Sequence, residues 1–294
     1  MNCLYVCNTS SDCISKVDLT VFKEENRIPV SANKLIRTGP HGISVYNDEL
    51  LVANSYGNSL SKINIKTQKE IECFYIGSHC NDVAVNQSDA YVICGELNNV
   101  IVFNLIKNKI VEEIPCGNLP HSISKNKSND LIVISNMESD SVTVIDTISM
   151  NVIKNIKVGP YPTNAIFTSD NKWILVCESN LGSNNNGSIS IIDLKTYEVC
   201  GRICVGNSPV YICSEGNEGY VSNFGEGTIS VIDLEVKKEK GKFYVGGMPR
   251  GIIKHENYLY IGDNYNNLLL RIDILKKNKK AISIGGEPTG MTLI

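Results

Sequence analysis

Four histidines, one tryptophan and no apolar run long enough to cross a bilayer leave this 294-residue chain with few advertisements of chemistry. It has no Gly-x-Ser-x-Gly elbow, no His-Glu-x-x-His and no glycine-rich phosphate loop leading into a helix. Those absences remove the common serine-hydrolase, zinc-protease and nucleotide-binding routes. Cys-x-x-Cys-His is also missing, which excludes covalent c-type haem. Excess charge is lacking as well: a net charge of -3 and a pI near 5.9 provide no general attraction to nucleic acid or to an anionic membrane. No basic stretch precedes Leu4-Tyr5-Val6-Cys7, so a secretory signal is not expected. Cysteine, in contrast, is plentiful. The count of eleven is odd, and Cys7, Cys94, Cys177, Cys204 and Cys213 sit inside strand patterns, as free thiols of a cytoplasmic protein would.

What is present is a repeat. A proline or its stand-in followed by an apolar strand recurs at Pro40, His79, Pro120, Pro162, Pro209, Pro249 and Pro288. A second strand ends at Asn8, Asn54, Cys94, Asn136, Glu178, Asn223 and Asp263, and a third at Asp18, Asn64, Asn104, Asp146, Asp193, Asp233 and Asp273. Within one unit the strands are short, β-rich and separated by Asn, Gly, Asp and Lys turns, as in 249–286. A period near forty with four antiparallel strands, here called A to D from the inside outward, specifies an all-β, seven-bladed β-propeller. Radial repetition lets residues 1–294 form one domain despite their number.

The last repeat has only a strand A, Pro288 to Ile294, whereas the chain begins with a B strand, Leu4 to Asn8, and a C strand, Ile14 to Asp18. Pairing the C-terminal strand with the N-terminal ones would close the ring and remove its open edges.

Val158-Gly159-Pro160-Tyr161-Pro162, Ser141 to Asp146 and Ser169 to Val176 resemble the YVTN repeat of bacterial and archaeal seven-bladed propellers. That group includes YncE-like and surface-layer proteins and, more distantly, lactonase-type propellers and the haem d1 domain of nitrite reductase. The resemblance implies the fold over the whole chain. Its members bind, scaffold or catalyse, so it implies no single activity.

Because strands A and B are antiparallel, the start of A and the end of B share one face of the disc. Residues following the repeat proline, His41, Cys80, His121, Thr163, Val210, Arg250 and Thr289, are therefore expected to ring the mouth of the central channel, with Glu178 and Asp263 beside them. These side chains differ more than a purely structural ring requires, and the one long B-to-C insertion, Asn180 to Gly187, opens on the same face. The expected function is binding of a small molecule or a protein at this mouth. Arg250 would be the forked donor, and Cys80, Thr163, Thr289 and Asp263 would serve as further ligand contacts. The alternative is a lactonase-like hydrolase or lyase with Glu178, His41 and His121 as acid and base. His41, Cys80 and His121 are acceptable metal ligands by type, but inner strands diverge around a channel, so no metal is expected, nor any cofactor. A third reading, a scaffold that uses the lysine-rich C-to-D turns, is weaker because hairpin lysines commonly keep edges soluble. A monomer is expected, with neither nucleic acid nor membrane as partner.

Overall fold

Alternating apolar residues flanked by turn formers produce strands throughout, and the computed structural model, which describes residues 3–31, 37–128 and 130–294, contains seven four-stranded antiparallel sheets. Met1 and Asn2 lie outside the described residues. Blade 1 runs Pro40–Tyr46, Glu49–Asn54, Ser59–Asn64, Lys69–Tyr75, and blade 2 Cys80–Asn86, Asp89–Cys94, Asn99–Asn104, Lys109–Pro115. The inner strands of blades 3 to 6 are Pro120–Lys125, Pro162–Phe167, Pro209–Glu215 and Pro249–His255. Blade 7 joins Pro288–Leu293 to Cys3–Asn8, Cys13–Asp18 and Lys23–Pro29. Leu4 faces Leu293, Tyr5 faces Thr292 and Val6 faces Met291, so the two chain ends close the ring as the orphan strands require.

B strands are buried on both faces because each blade is covered by its neighbours. Leu50, Leu51, Val52 and Ala53 are all fully buried. Leu51 and Ala53 of blade 1 pack with Val83, Val92 and Cys94 of blade 2, and similar clusters fill the other junctions. Truncating one such side chain to Ala typically costs about 2–5 kcal/mol. D strands are outermost and largely exposed, as in Lys109–Pro115.

The repeat's polar positions have local physical causes. The Asp or Asn ending each C strand accepts the turn's own N–H groups: Asp18 from Thr20 and Val21, Asp146 from Ile148 and Ser149, Asp273 from Leu275 and Lys276. Such side-chain turns fix the C-to-D hairpins. The Asn ending a B strand reaches sideways to strand C. Asn54 Nδ2 donates to Ser59 and Ser61, and Asn223 Nδ2 to Thr228 and Ser230.

One register differs from the sequence reading. Cys80 pairs with Cys94 as Pro40 pairs with Asn54, so Cys80, not His79, takes the proline position in blade 2. Asn81 therefore occupies the mouth position, because a one-residue slip exchanges the two faces of a strand.

Candidate functional site

In all seven blades the A–B ladder slips at the same place. Pro40 faces Asn54 and Gly42 faces Ala53, leaving His41 as the extra residue of a β-bulge. Asn81, His121, Thr163 and Val210 sit on matching bulges, and Arg250 and Thr289 lie within theirs. A bulge bends its strand and re-aims a side chain, which gives these positions their common placement at the mouth.

Five of the bulge side chains, those of His41, His121, Thr163, Arg250 and Thr289, then tie their strands to other blades. Imidazole Nδ1 of His41 donates to Asn81 O at 2.8 Å, and that of His121 to Thr163 O at 2.7 Å. Thr163 Oγ1 donates to Pro209 O at 3.0 Å, and Thr289 Oγ1 to His41 O at 3.1 Å. Gly290 permits the tight passage between blades 7 and 1, since a Cβ there would lie 2.4 Å from His41 O. Gly251 does the same between blades 6 and 7, 2.2 Å from Thr289 O. Arg250 of blade 6 thus reaches past blade 7, and its Nη2 donates to His41 Nε2 at 3.0 Å. The His41 and His121 rings meet edge to face at 5.8 Å between centroids.

Since both Nδ1 atoms face carbonyls, each imidazole carries its proton on Nδ1 and a lone pair on Nε2. Burial holds His41 well below the usual imidazole range, with Arg250 and then His121 adding to the effect. Burial, then Arg250, lowers His121 to about 4. Both rings are neutral at physiological pH. No ion pair among the described residues includes the guanidinium beside them.

These groups line a cavity of about 280 Å³. His41, His79, Asn81, His121, Arg250 and Thr289 contribute to its wall, together with Thr9, Ser55, Tyr56, Asn264 and Glu287. One layer further along the inner strands, third-position side chains accept backbone N–H groups of the next blade. Asp82 Oδ2 accepts from Ile123 at 3.2 Å, Ser122 Oγ from Ala165 at 3.1 Å and Asn164 Oδ1 from Ile212 at 3.2 Å. Asp82 is the one acid of that layer, and burial pushes its carboxyl up to about 7. Tyr211 shares the layer, its phenol raised by burial and then by the Asp82 charge.

The structure brings together His41, His121, Arg250 and Thr289 in the cavity wall and leaves Cys80, Thr163, Glu178 and Asp263 out of it. Glu178 is 1% exposed and turns toward strands C and D of its own blade. Its carboxylate accepts from Gly159 N at 2.6 Å, from Ser188 Oγ, Ser190 Oγ and Arg202 Nε. It replaces the B-strand Asn of other blades and does not line the cavity. Asp263, 2% exposed, likewise accepts from Met248 N and from Asn266. Cys80 is fully buried, its thiol bonded to Gly77 O and 3.7 Å from Cys94 Sγ, and it does not line the cavity. Among the described residues no group of three or more His, Cys, Asp and Glu could hold a metal ion. Thr163 serves as the carbonyl partner of His121 and lies outside the cavity wall. The Asn180–Gly187 insertion is held by its own blade, Asn207 Nδ2 donating to Ser183 O and Asn185 O.

Sequence reasoning missed His79, Asn81 and Asp82. The first pair was legible in the equal spacing of Pro40, Cys80 and Pro120, and Asp82 as an acid where the other blades place Gly, Ser, Asn or Tyr.

No family model matches this chain, and no curated protein matches it. Among solved structures it is similar to a functionally unknown protein from Desulfotomaculum acetoxidans, with 19% identity over 100% of this chain and 99% of that one and a TM-score of 0.81. It is also similar to the hydrazine synthase of Kuenenia stuttgartiensis, with 19% identity, 83% and 80% coverage and a TM-score of 0.75. The dihydro-heme d1 dehydrogenase NirN, in complex with DHE, gives 12% identity, 99% and 75% coverage and a TM-score of 0.70. At these identities the likeness extends to the propeller fold alone.

Proposed function

We propose that this chain is a YVTN-type propeller that binds a small anionic molecule in the mouth of its central channel. The observation that carries the reading is Arg250. Its guanidinium is drawn into a cavity of about 280 Å³, one N–H is committed to a neutral imidazole, and it makes no ion pair among the described residues, although Glu287 lines the same wall. A charge kept unpaired in a concave, partly dry site is stabilised by an incoming oxyanion, and the planar fork suits a carboxylate or phosphate. The odd cysteine count supports a reducing, cytoplasmic setting. No helix among the described residues is long and apolar enough to cross a membrane.

A charge-assisted hydrogen bond contributes about 1.5–3 kcal/mol, so Arg250→Ala should weaken binding roughly tenfold to a hundredfold. Calorimetric titration of wild type and Arg250→Ala with succinate, phosphate and sulfate tests this directly. At least one of these should bind the wild type and lose that affinity in the variant. Equal affinity for both proteins would refute the assignment.

A further inference from the structure

We infer that the mouth selects an anion that also carries a hydroxyl group, a hydroxycarboxylate, with Arg250 taking the carboxylate and His121 Nε2 accepting the hydroxyl hydrogen. This rests on the anion reading above and deepens it.

The two imidazoles are alike in tautomer and different in engagement. Each gives its Nδ1 proton to a backbone carbonyl. His41 Nε2 then receives Arg250, so that lone pair is filled. His121 presents the same lone pair to the same cavity, with its Nδ1 edge turned to Thr163. A neutral imidazole nitrogen without its proton is an acceptor only, so it is satisfied by a donor such as a hydroxyl and repels a second carboxylate oxygen. The two rings stand 5.8 Å apart and Arg250 Nη2 lies 3.0 Å from His41 Nε2, so one small molecule can place a carboxylate at Arg250 and a hydroxyl at His121 Nε2. Asn81 and Thr289 line the same cavity. A site that hydrogen-bonds a ligand hydroxyl discriminates strongly against the analogue lacking it, since its own acceptor is then stranded.

The probes are racemic malate, succinate, which lacks the hydroxyl, and methoxysuccinate, which keeps the oxygen but not its hydrogen. In calorimetric titrations the wild type should bind malate at least about tenfold more tightly than succinate or methoxysuccinate. His121→Asn keeps an amide N–H for Thr163 O while removing the Nε2 acceptor. It should reduce malate to the succinate level and leave succinate within about twofold of wild type. Arg250→Ala should weaken malate and succinate alike. Equal wild-type affinities for malate and succinate, or a malate preference that survives His121→Asn, would overturn the hydroxyl assignment while leaving the anion site standing. Binding of none of the three by folded wild type would count against the anion site, and the hydroxyl assignment would fall with it. Should His121→Asn fail to fold, methoxysuccinate decides on wild type alone: affinity equal to that of malate overturns the inference.

Discussion

Replacing Asp82 by Asn should stabilise the protein, increasingly so as the pH rises. Asp82 Oδ1 accepts from Val83 N at 2.9 Å and Oδ2 from Ile123 N at 3.2 Å, yet burial dominates and pushes the carboxyl up to about 7 from its ordinary 3.8. Between those values the folded protein holds a proton that the unfolded chain has released. Stability therefore falls as the pH rises through this window, by about 1.4 kcal/mol per pH unit and about 4 kcal/mol in all. The amide removes that penalty but has one acceptor oxygen for two N–H groups, which costs about 1 kcal/mol. The net gain is about 2–3 kcal/mol above pH 7, a rise of roughly 3–5 °C in Tm for a chain of this length, and it disappears near pH 4. His41 and His121 titrate with the opposite sign. Both are lowered, so the stability they confer is present above the ordinary imidazole value and lost as the pH falls below it, through about 4 for His121. Both are common to the two proteins and cancel in the difference. Thermal melts of wild type and Asp82→Asn at about pH 4.5 and about pH 8 are the assay. A variant destabilised equally at both pH values would refute the argument, because the carboxylate would then be adequately solvated in the channel.

Deleting Glu287 to Ile294 should abolish soluble monomer, since it bares the edge of Cys3–Asn8 and the faces of two blades. Size-exclusion chromatography showing a monomer with unchanged melting temperature would contradict this. Glu178→Ala strands Gly159 N, Ser188 and Ser190, and should lower Tm by roughly 5–10 °C while leaving anion affinity within about twofold. Lost binding in a variant of unchanged Tm would return Glu178 to the site.

The fold was legible because its determinants are local: Asp or Asn at the end of each C strand makes its turn with the next few residues, and the doubly buried B strands read as apolar runs. Ring closure was legible for the same reason, as a strand at each end lacking partners. The site was legible in part. His41, His121 and Arg250 were found because their chemistry departs from the repeat. The blade 2 register was misread because His79 and Cys80 are both non-proline residues, and only the pairing of Cys80 with Cys94 decides between them. Glu178 was drawn toward the mouth because strand direction tells which end of a blade a residue occupies but not which way its side chain turns. The Ser and Thr residues at the start of the C strands with which Asn54, Asn136 and Asn223 bond, matched by Ser188 and Ser190 beside Glu178, held that information. Bulges left no mark in composition, since any residue can be the unpaired one.

The composite blade also orders events in time. Six blades are contiguous in sequence, and each can form from hairpins that need no distant partner. The seventh joins groups such as the Thr9 and Thr289 hydroxyls, 280 residues apart. Closing so long a loop adds little to the equilibrium, because its entropy grows only with the logarithm of length. Its effect is kinetic, because a chain emerging from the ribosome carries Cys3–Asn8 as an unpaired inner edge until the last strand is made. For most of its synthesis the protein is an open arc with an adhesive strand at its start, so any dependence on chaperones should concentrate there and end when the ring closes.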